Sequence, residues 1–256
     1  MTTTRKSMLY ETDVEYGSWA MNHVLGCSHG CLYPCYAFLM AKRFGRVKTY
    51  AEWCTPVLVE NTLELLEKEI PKLKKKIDSV QLCFTTDPFM YGYEDICKMS
   101  VAAIKKLNEN AIPCVALTKG LLPKELAKLS KENTYGITLV SLDEEYRKTS
   151  EPGAAPYQER IAALRHLHEQ GYKTWVSMEP YPTPNIIEQD IDSILNEIAF
   201  ADRIIFGRTN YNKIVSSYKD HREFYNTCVS AVVTFCEGNS IEFHIKKGTL
   251  TEAAAS

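Results

Sequence analysis

The chain has 256 residues, 45% of them hydrophobic and 24% charged, an ordinary globular mixture sized for one large α/β domain or two small ones. Its formal net charge of −2 leaves no electrostatic footprint for nucleic acid or an anionic membrane. No apolar run reaches membrane-spanning length, and Met1-Thr2-Thr3-Thr4-Arg5-Lys6 lacks the apolar core of a signal peptide, so the expected setting is cytoplasmic.

Apolar periodicity divides the chain into alternating strands and helices. Trp19 to Leu25 is predicted as a first strand that runs straight into a cysteine-bearing loop. Thr55-Pro56 has the chemistry of a helix cap and first position, with Val59, Leu63, Leu66 and Ile70 at helical spacing behind it. Pro71 and the Lys72 to Lys76 run end or kink that helix, and the lysines read as a solvated face. Val80 to Thr85 is the second strand, and Ile96, Met99, Ala103, Ile104 and Leu107 mark the next helix. Ile112 to Thr118 is the third strand, Pro123 opens a short helix, and Tyr135 to Val140 is the fourth strand.

Ser141 to Ala155 reads as a polar loop, after which Pro156 at the first helical position starts a helix closed by Gly171. Tyr172 to Met178, Arg203 to Phe206 and Ile241 to Ile245 are the remaining strands. Helices over Ile187 to Ile198 and Phe224 to Phe235 separate them. The sequence predicts a single domain over residues 1–256, with its core over about 14–247 and residues 248–256 a loose tail. Such alternation requires parallel strands with right-handed crossovers. Roughly six units fit, fewer than the eight of a closed TIM barrel, and a doubly wound sheet would satisfy the same pattern.

Nine cysteines in a chain without a secretion signal favour metal or redox chemistry over disulfides. Three of them, Cys27, Cys31 and Cys35, recur every four residues in the stretch from Gly26 to Ala37. A helix with all three in a core would give the same spacing, but Gly30 and Pro34 weaken a helix interior. A zinc site with His23 or His29 is the other competitor, and it lacks the second close ligand pair such sites bring. Three thiolates can instead hold three irons of a [4Fe–4S] cluster and leave the fourth open. Cys83, Cys114, Cys228 and Cys236 read as small hydrophobes. Cys54, beside Trp53, is the nearest alternative to Cys35 as third ligand, at the cost of closing a much longer loop.

Polar residues gather where each predicted strand stops. These are Thr85-Thr86-Asp87-Pro88, Thr118-Lys119, Ser141-Leu142-Asp143, Glu179-Pro180 and Gly207-Arg208-Thr209. In barrels and open parallel sheets the ligand site lies at that carboxyl edge.

The run Cys27-Ser28-His29-Gly30-Cys31, followed by Tyr33, Cys35 and Tyr36-Ala37, resembles the cluster loop of radical S-adenosylmethionine (SAM) enzymes. It is most similar to the spore photoproduct lyase-like branch. Pro34 is one residue more than that pattern holds, giving Cys-x3-Cys-x3-Cys. The resemblance implies an α/β fold, a partial (βα)6 TIM-type barrel of parallel strands, open on one side. It implies a [4Fe–4S] cluster on Cys27, Cys31 and Cys35, with SAM chelating the open iron. Reductive cleavage would give a 5′-deoxyadenosyl radical for hydrogen abstraction from an unidentified substrate.

The residues it implies around SAM are Thr85, Thr86 and Asp87 for the amino group and Lys119 for the carboxylate, through a charge-assisted bond. Ser141 and Asp143 would take the ribose, with Arg147 pairing a carboxylate. Tyr33 and Tyr36 lie by the cluster loop near the adenine, and Glu179 touches SAM or substrate. The stretch Glu151-Pro152-Gly153 and Arg160 belong to the same pattern. Asp143 as a plain helix cap is the competing reading. Implied partners are a small-molecule or peptide substrate, a reductant such as flavodoxin or ferredoxin, and a protein that delivers the substrate, with neither nucleic acid nor membrane. A cluster- or zinc-stabilised binding protein, a DNA-lesion lyase, and a conventional barrel enzyme using Glu179 or Lys119 as acid or base are the alternatives.

Overall fold

The computed structural model describes residues 1–14, 17–33 and 35–251. Leu9–Val14 (β1) pairs antiparallel with Gly17–Met21 (β2). Val80–Leu82 (β3), Cys114–Thr118 (β4), Thr134–Thr138 (β5), Lys173–Tyr181 (β6), Arg203–Arg208 (β7) and Glu242–Ile245 (β8) then add in turn, each parallel to its neighbour. The sheet runs β8-β7-β6-β5-β4-β3-β2-β1, and among the described residues its two outer strands do not pair, so the barrel is open. The predicted parallel arrangement is therefore present, with one antiparallel strand at its edge that the pattern did not announce.

Parallel strands covered on both faces read as continuous apolar runs, and β3 is buried along its whole length. Thr62–Leu73 (α2) and Glu94–Asn108 (α3) lie together, their Leu66, Ile70, Ala103, Ile104 and Leu107 sharing one core with Val80, Leu82 and Cys114. Tyr157–Glu169 (α5) and His221–Asn239 (α7) contribute Ile161, Leu164, Val229 and Val232 to the same core. Among the described residues no helix is long and apolar enough to cross a membrane.

Several boundaries differ from the sequence expectation. The run from Trp19 to Leu25 is two strands, because the chain leaves the large sheet after Met21. Val24–Leu25 turns aside to pair antiparallel with Val57–Val59. Thr55-Pro56 does not open a helix. Val57 to Val59 are the middle strand of that second, small sheet, between Val24–Leu25 and Thr2–Thr3, and α2 starts at Thr62, whose hydroxyl bonds the carbonyl of Val59. Pro71 is accommodated inside α2, which passes into a 3₁₀ turn over Lys74–Lys76.

The polar stretch after Ser141 holds a helix, Glu144–Ser150 (α4), and Pro156 is the N-cap of α5 rather than its first residue. The helix expected from Ile187 is only Ile191–Glu197 (α6), set by the cap Asp190, which accepts from Asp192 and Ser193 amides. The tail is fixed at its start. Thr249 is buried, its hydroxyl accepting from the Arg208 amide at 3.3 Å, and the Thr251 amide donates to Asn226 at 3.0 Å.

Candidate metal and cofactor site

The cysteine loop is shaped by two left-handed glycines and held by bonds that do not involve sulfur. Gly26 has φ +78°, and a Cβ there would lie 2.6 Å from the Trp53 carbonyl, so only glycine lets the backbone approach. Beside it the Cys27 amide donates to that same carbonyl at 2.8 Å. The Leu32 amide donates to the Ser150 carbonyl and the Gly153 amide to the His29 carbonyl, both at 2.9 Å, tying the loop to the end of α4. Gly153 is needed for that contact, since a Cβ would fall 2.1 Å from the Ser28 oxygen.

Asp87 joins this loop to the next two strand ends. Its buried carboxylate accepts from His29 Nε2 at 2.7 Å, Thr118 Oγ1 at 2.7 Å, and the amides of Lys119 and Phe89 at 2.8 Å. Burial alone would raise its pKa, but His29 and these donors win and lower it.

A second knot lies behind. Glu151, fully buried, accepts from Tyr33 at 2.8 Å and from Lys119 Nζ on one oxygen, and from Arg160 Nη2 at 3.0 Å on the other. Burial disfavours the carboxylate, yet the Lys119 and Arg160 cations hold its pKa down at about 2. Burial, with Cys31 and Glu151 nearby, raises the Tyr33 phenol well above its ordinary value and keeps it a donor. Two cations against one carboxylate leave this knot with one net positive charge. Lys119 Nζ reaches Tyr33 and Glu151, so of its three donors one is left for a ligand.

Both knots border one cavity of about 570 Å³ at the carboxyl edge of the sheet. Cys27, Cys31, Cys35, Tyr33, Tyr36, Thr85, Thr86, Asp87, Lys119 and Glu179 all line it. Pro34 lies outside the described residues.

Three of the predicted site residues are elsewhere. Asp143 caps α4, accepting from the Glu145 and Tyr146 amides, so the cap reading holds for it. The Ser141 hydroxyl accepts from the Asp143 amide at 3.1 Å and is fully buried. Arg147 pairs Glu144 at 2.5 Å and bonds the Ala154 carbonyl at 2.8 Å. All three are absent from the cavity wall because α4 turns that segment into structure. The wall also contains residues not predicted as site residues, among them Ser177, Tyr211 and Lys246. Glu151 appeared in the sequence only within a longer pattern, since nothing local marks a glutamate as doubly ion-paired.

The thiols suit an iron–sulfur cluster, whose ligands are cysteine sulfurs. Burial raises the pKa of Cys27 and Cys31, the latter to about 12, so a thiolate there needs a bound cation. Among the described residues no three His, Cys, Asp or Glu side chains converge on a single ion. A cluster that gives each cysteine its own iron asks for no such convergence. Zinc on the three thiolates would take a fourth ligand, and each of the two histidines the sequence offers already has a ring nitrogen bonded elsewhere. His23 bonds Ser100 at 2.7 Å and is held neutral by burial, its pKa lowered to about 4, while His29 is held by Asp87.

A model of the radical SAM superfamily matches residues 21–198. The uncharacterized protein ORF301 of Acidianus two-tailed virus is 28% identical over 197 residues, covering 71% of this chain and 63% of its own length. The uncharacterized protein MJ0683 of Methanocaldococcus jannaschii is 25% identical over 195 residues, covering 75% and 70%. The chain thus spans a little under two thirds of the first relative and more of the second. Among solved structures, spore photoproduct lyase in complex with a dinucleoside spore photoproduct has a similar fold, with a TM-score of 0.69 at 14% identity over 95% of this chain and 80% of that one. Streptococcus suis SuiB bound to S-adenosylmethionine aligns with a TM-score of 0.52 at 17% identity, over 73% of this chain and 43% of that one.

Proposed function

Because the chain belongs to the radical SAM superfamily, we propose that it is an enzyme holding a [4Fe–4S] cluster on Cys27, Cys31 and Cys35 and binding SAM in the adjoining cavity. The observation that carries this reading is the placing of three cysteines and one partly uncommitted lysine on one cavity wall. When bound, cluster and SAM supply a one-electron cleavage that yields methionine and a 5′-deoxyadenosyl radical, the hydrogen-abstracting agent.

The chain's own residues orient and exclude. Lys119 would give its remaining N–H to the SAM carboxylate, held in place by Glu151 and Tyr33. Thr85 and Thr86 would face the amino group, Tyr33 and Tyr36 would lie near the adenine, and Asp87 would fix the loop through His29 rather than contact SAM directly. Ser141, Asp143 and Arg147 keep no SAM role. Glu179, Arg208 and Lys246 stand on strand ends far along the sheet from the cysteine loop and would meet the substrate. A cavity of about 570 Å³ is the size of a small-molecule site and supports SAM as its occupant, with a small molecule or a peptide side chain as the proposed substrate at its far end. None of the nine cysteines is paired, which fits a reducing setting.

Anaerobic reconstitution tests the reading. The loaded protein is expected to be brown, with close to one cluster per chain, and to release 5′-deoxyadenosine when reduced. Cys35→Ala is expected to lose cluster and cleavage, and Cys54→Ala to keep both. A colourless zinc protein would overturn the proposal, and the reverse cysteine pattern would move the third ligand to Cys54.

A further inference from the structure

Just past the third cysteine the surface changes character. Tyr36–Arg43 (α1) begins one residue after Cys35, and the chain from Ser28 to Ala51 contains Lys42, Arg43, Arg46 and Lys48 but no Asp or Glu. All four cations are exposed and none of their charged groups is in an ion pair among the described residues, although the exposed Glu52 carboxylate at the rim accepts from the Lys48 amide at 2.7 Å. Interleaved with them are large apolar side chains left in water, with Leu32 68% exposed, Leu39 41% and Phe44 61%. Arg46 lies over the Phe44 ring at 5.7 Å, so charge and apolar surface form one patch. The chain as a whole is net acidic, which makes the patch a local exception.

We infer that this patch is the docking surface for a small acidic one-electron carrier protein of the flavodoxin or ferredoxin kind. The inference rests on the function proposed above, because that chemistry needs one electron per cleavage that neither the chain nor SAM supplies. The balance is simple. The carrier would give up one electron to the cluster that Cys27, Cys31 and Cys35 would hold, and no bond would form or break at the interface.

Three properties of the patch fit such a partner. Its position is continuous with the cysteine loop, with Leu32 next to Cys31 and α1 starting beside Cys35, so a seated carrier lies against the loop. Its charge complements an acidic protein, which steers encounter and raises the association rate. Its composition, arginine and aromatic residues around aliphatic ones, is that of interface cores, and transient redox encounters bury less than about 1,200 Å². The other basic run, Lys74–Lys76, carries none of this. It ends the segment before β3 begins, at the opposite edge of the sheet from the cysteine loop, and has no exposed aromatic residue within it.

The test compares the chain with Lys42→Glu/Arg43→Glu/Arg46→Glu, with Leu39→Ala/Phe44→Ala, and with the control Lys74→Glu/Lys75→Glu. Binding of an acidic flavodoxin is measured directly by titration calorimetry over a series of salt concentrations. Cleavage of SAM is measured separately with dithionite and with reduced flavodoxin. The charge-reversed variant is expected to bind flavodoxin about tenfold more weakly or worse and to lose most of the salt dependence. The apolar variant is expected to weaken binding while keeping its salt dependence, and the lysine control to behave like the parent. Dithionite-driven cleavage is expected to be unchanged in the charge-reversed variant while flavodoxin-driven cleavage falls with the binding.

Unchanged flavodoxin affinity on charge reversal overturns the inference. So does an equal loss in the control, or a loss confined to binding of a single-stranded oligonucleotide or anionic vesicles. Absence of dithionite-driven cleavage in the parent would instead refute the proposed function, leaving the calorimetry to decide the docking surface.

Discussion

Glu151 shows how much one side chain can organise. It sits between two cations in a site that water does not reach, and replacing it by Gln would leave Lys119 and Arg160 without their shared counter-charge. Breaking such a pair by removing one partner costs about 3–5 kcal/mol, and Glu151→Gln is expected to lower the urea midpoint accordingly. The pH dependence has a definite sign. Glu151 has a folded pKa of about 2 against 4.5 for the free group, so its contribution is complete above 4.5 and is lost as pH falls from there towards 2. The parent should lose stability over that window and Glu151→Gln should lose less. Equal acid limbs in both would mean the carboxylate is not doubly paired. At this scale the cysteine spacing put three thiols in one loop, and the fold sets all three on one cavity wall. Glu151 was not legible, because its role comes from Lys119 and Arg160, residues 32 and 9 positions away.

Elements were legible where apolar periodicity made them. The parallel strands and the α3 and α5 helices follow from it, and the carboxyl-edge cavity then follows from the alternation. Failures occurred where other forces chose. Nothing in the apolar run from Trp19 to Leu25 marks the exit from the large sheet after Met21. Helix α4 is too polar for periodicity to reveal and exists through the Asp143 cap. The loop after it carries a sharp expectation. Gly153→Ala would push a methyl group against the Ser28 carbonyl, and overpacking of this kind costs about 1–3 kcal/mol or more. The variant is expected to melt lower and to take up less iron per chain. Gly171→Ala, with φ +79° but nothing within 4 Å, should cost only the left-handed conformation, about 1–2 kcal/mol, with normal iron content. Equal iron uptake by the two variants would show that the His29–Gly153 contact does not shape the cysteine loop.

For the whole molecule, net charge was a poor guide. A total of −2 conceals a stretch of 24 residues carrying four cations and no acid, and only the fold shows that those cations share a surface with exposed apolar side chains. The fixing of Thr249 and Thr251 likewise depends on β7 and α7 having already come together, which no local pattern expresses. The moorings of the cysteine loop have a further consequence, in the order of events during the protein's life. Trp53, Asp87, Ser150 and Gly153 hold the loop without any thiol, so its shape does not wait for iron. Small metal-dependent domains unfold when stripped, because binding and folding are one event. With the cluster proposed above, maturation is expected to come after folding, and a chain stripped of that cluster is expected to remain an intact vessel ready to be refilled. Chelator-treated protein is therefore expected to keep its helical circular dichroism and a cooperative melt, and to regain its brown colour on a second reconstitution without passing through denaturant. Collapse of the spectrum on chelation would show that the metal, rather than the hydrogen bonds around it, builds the loop.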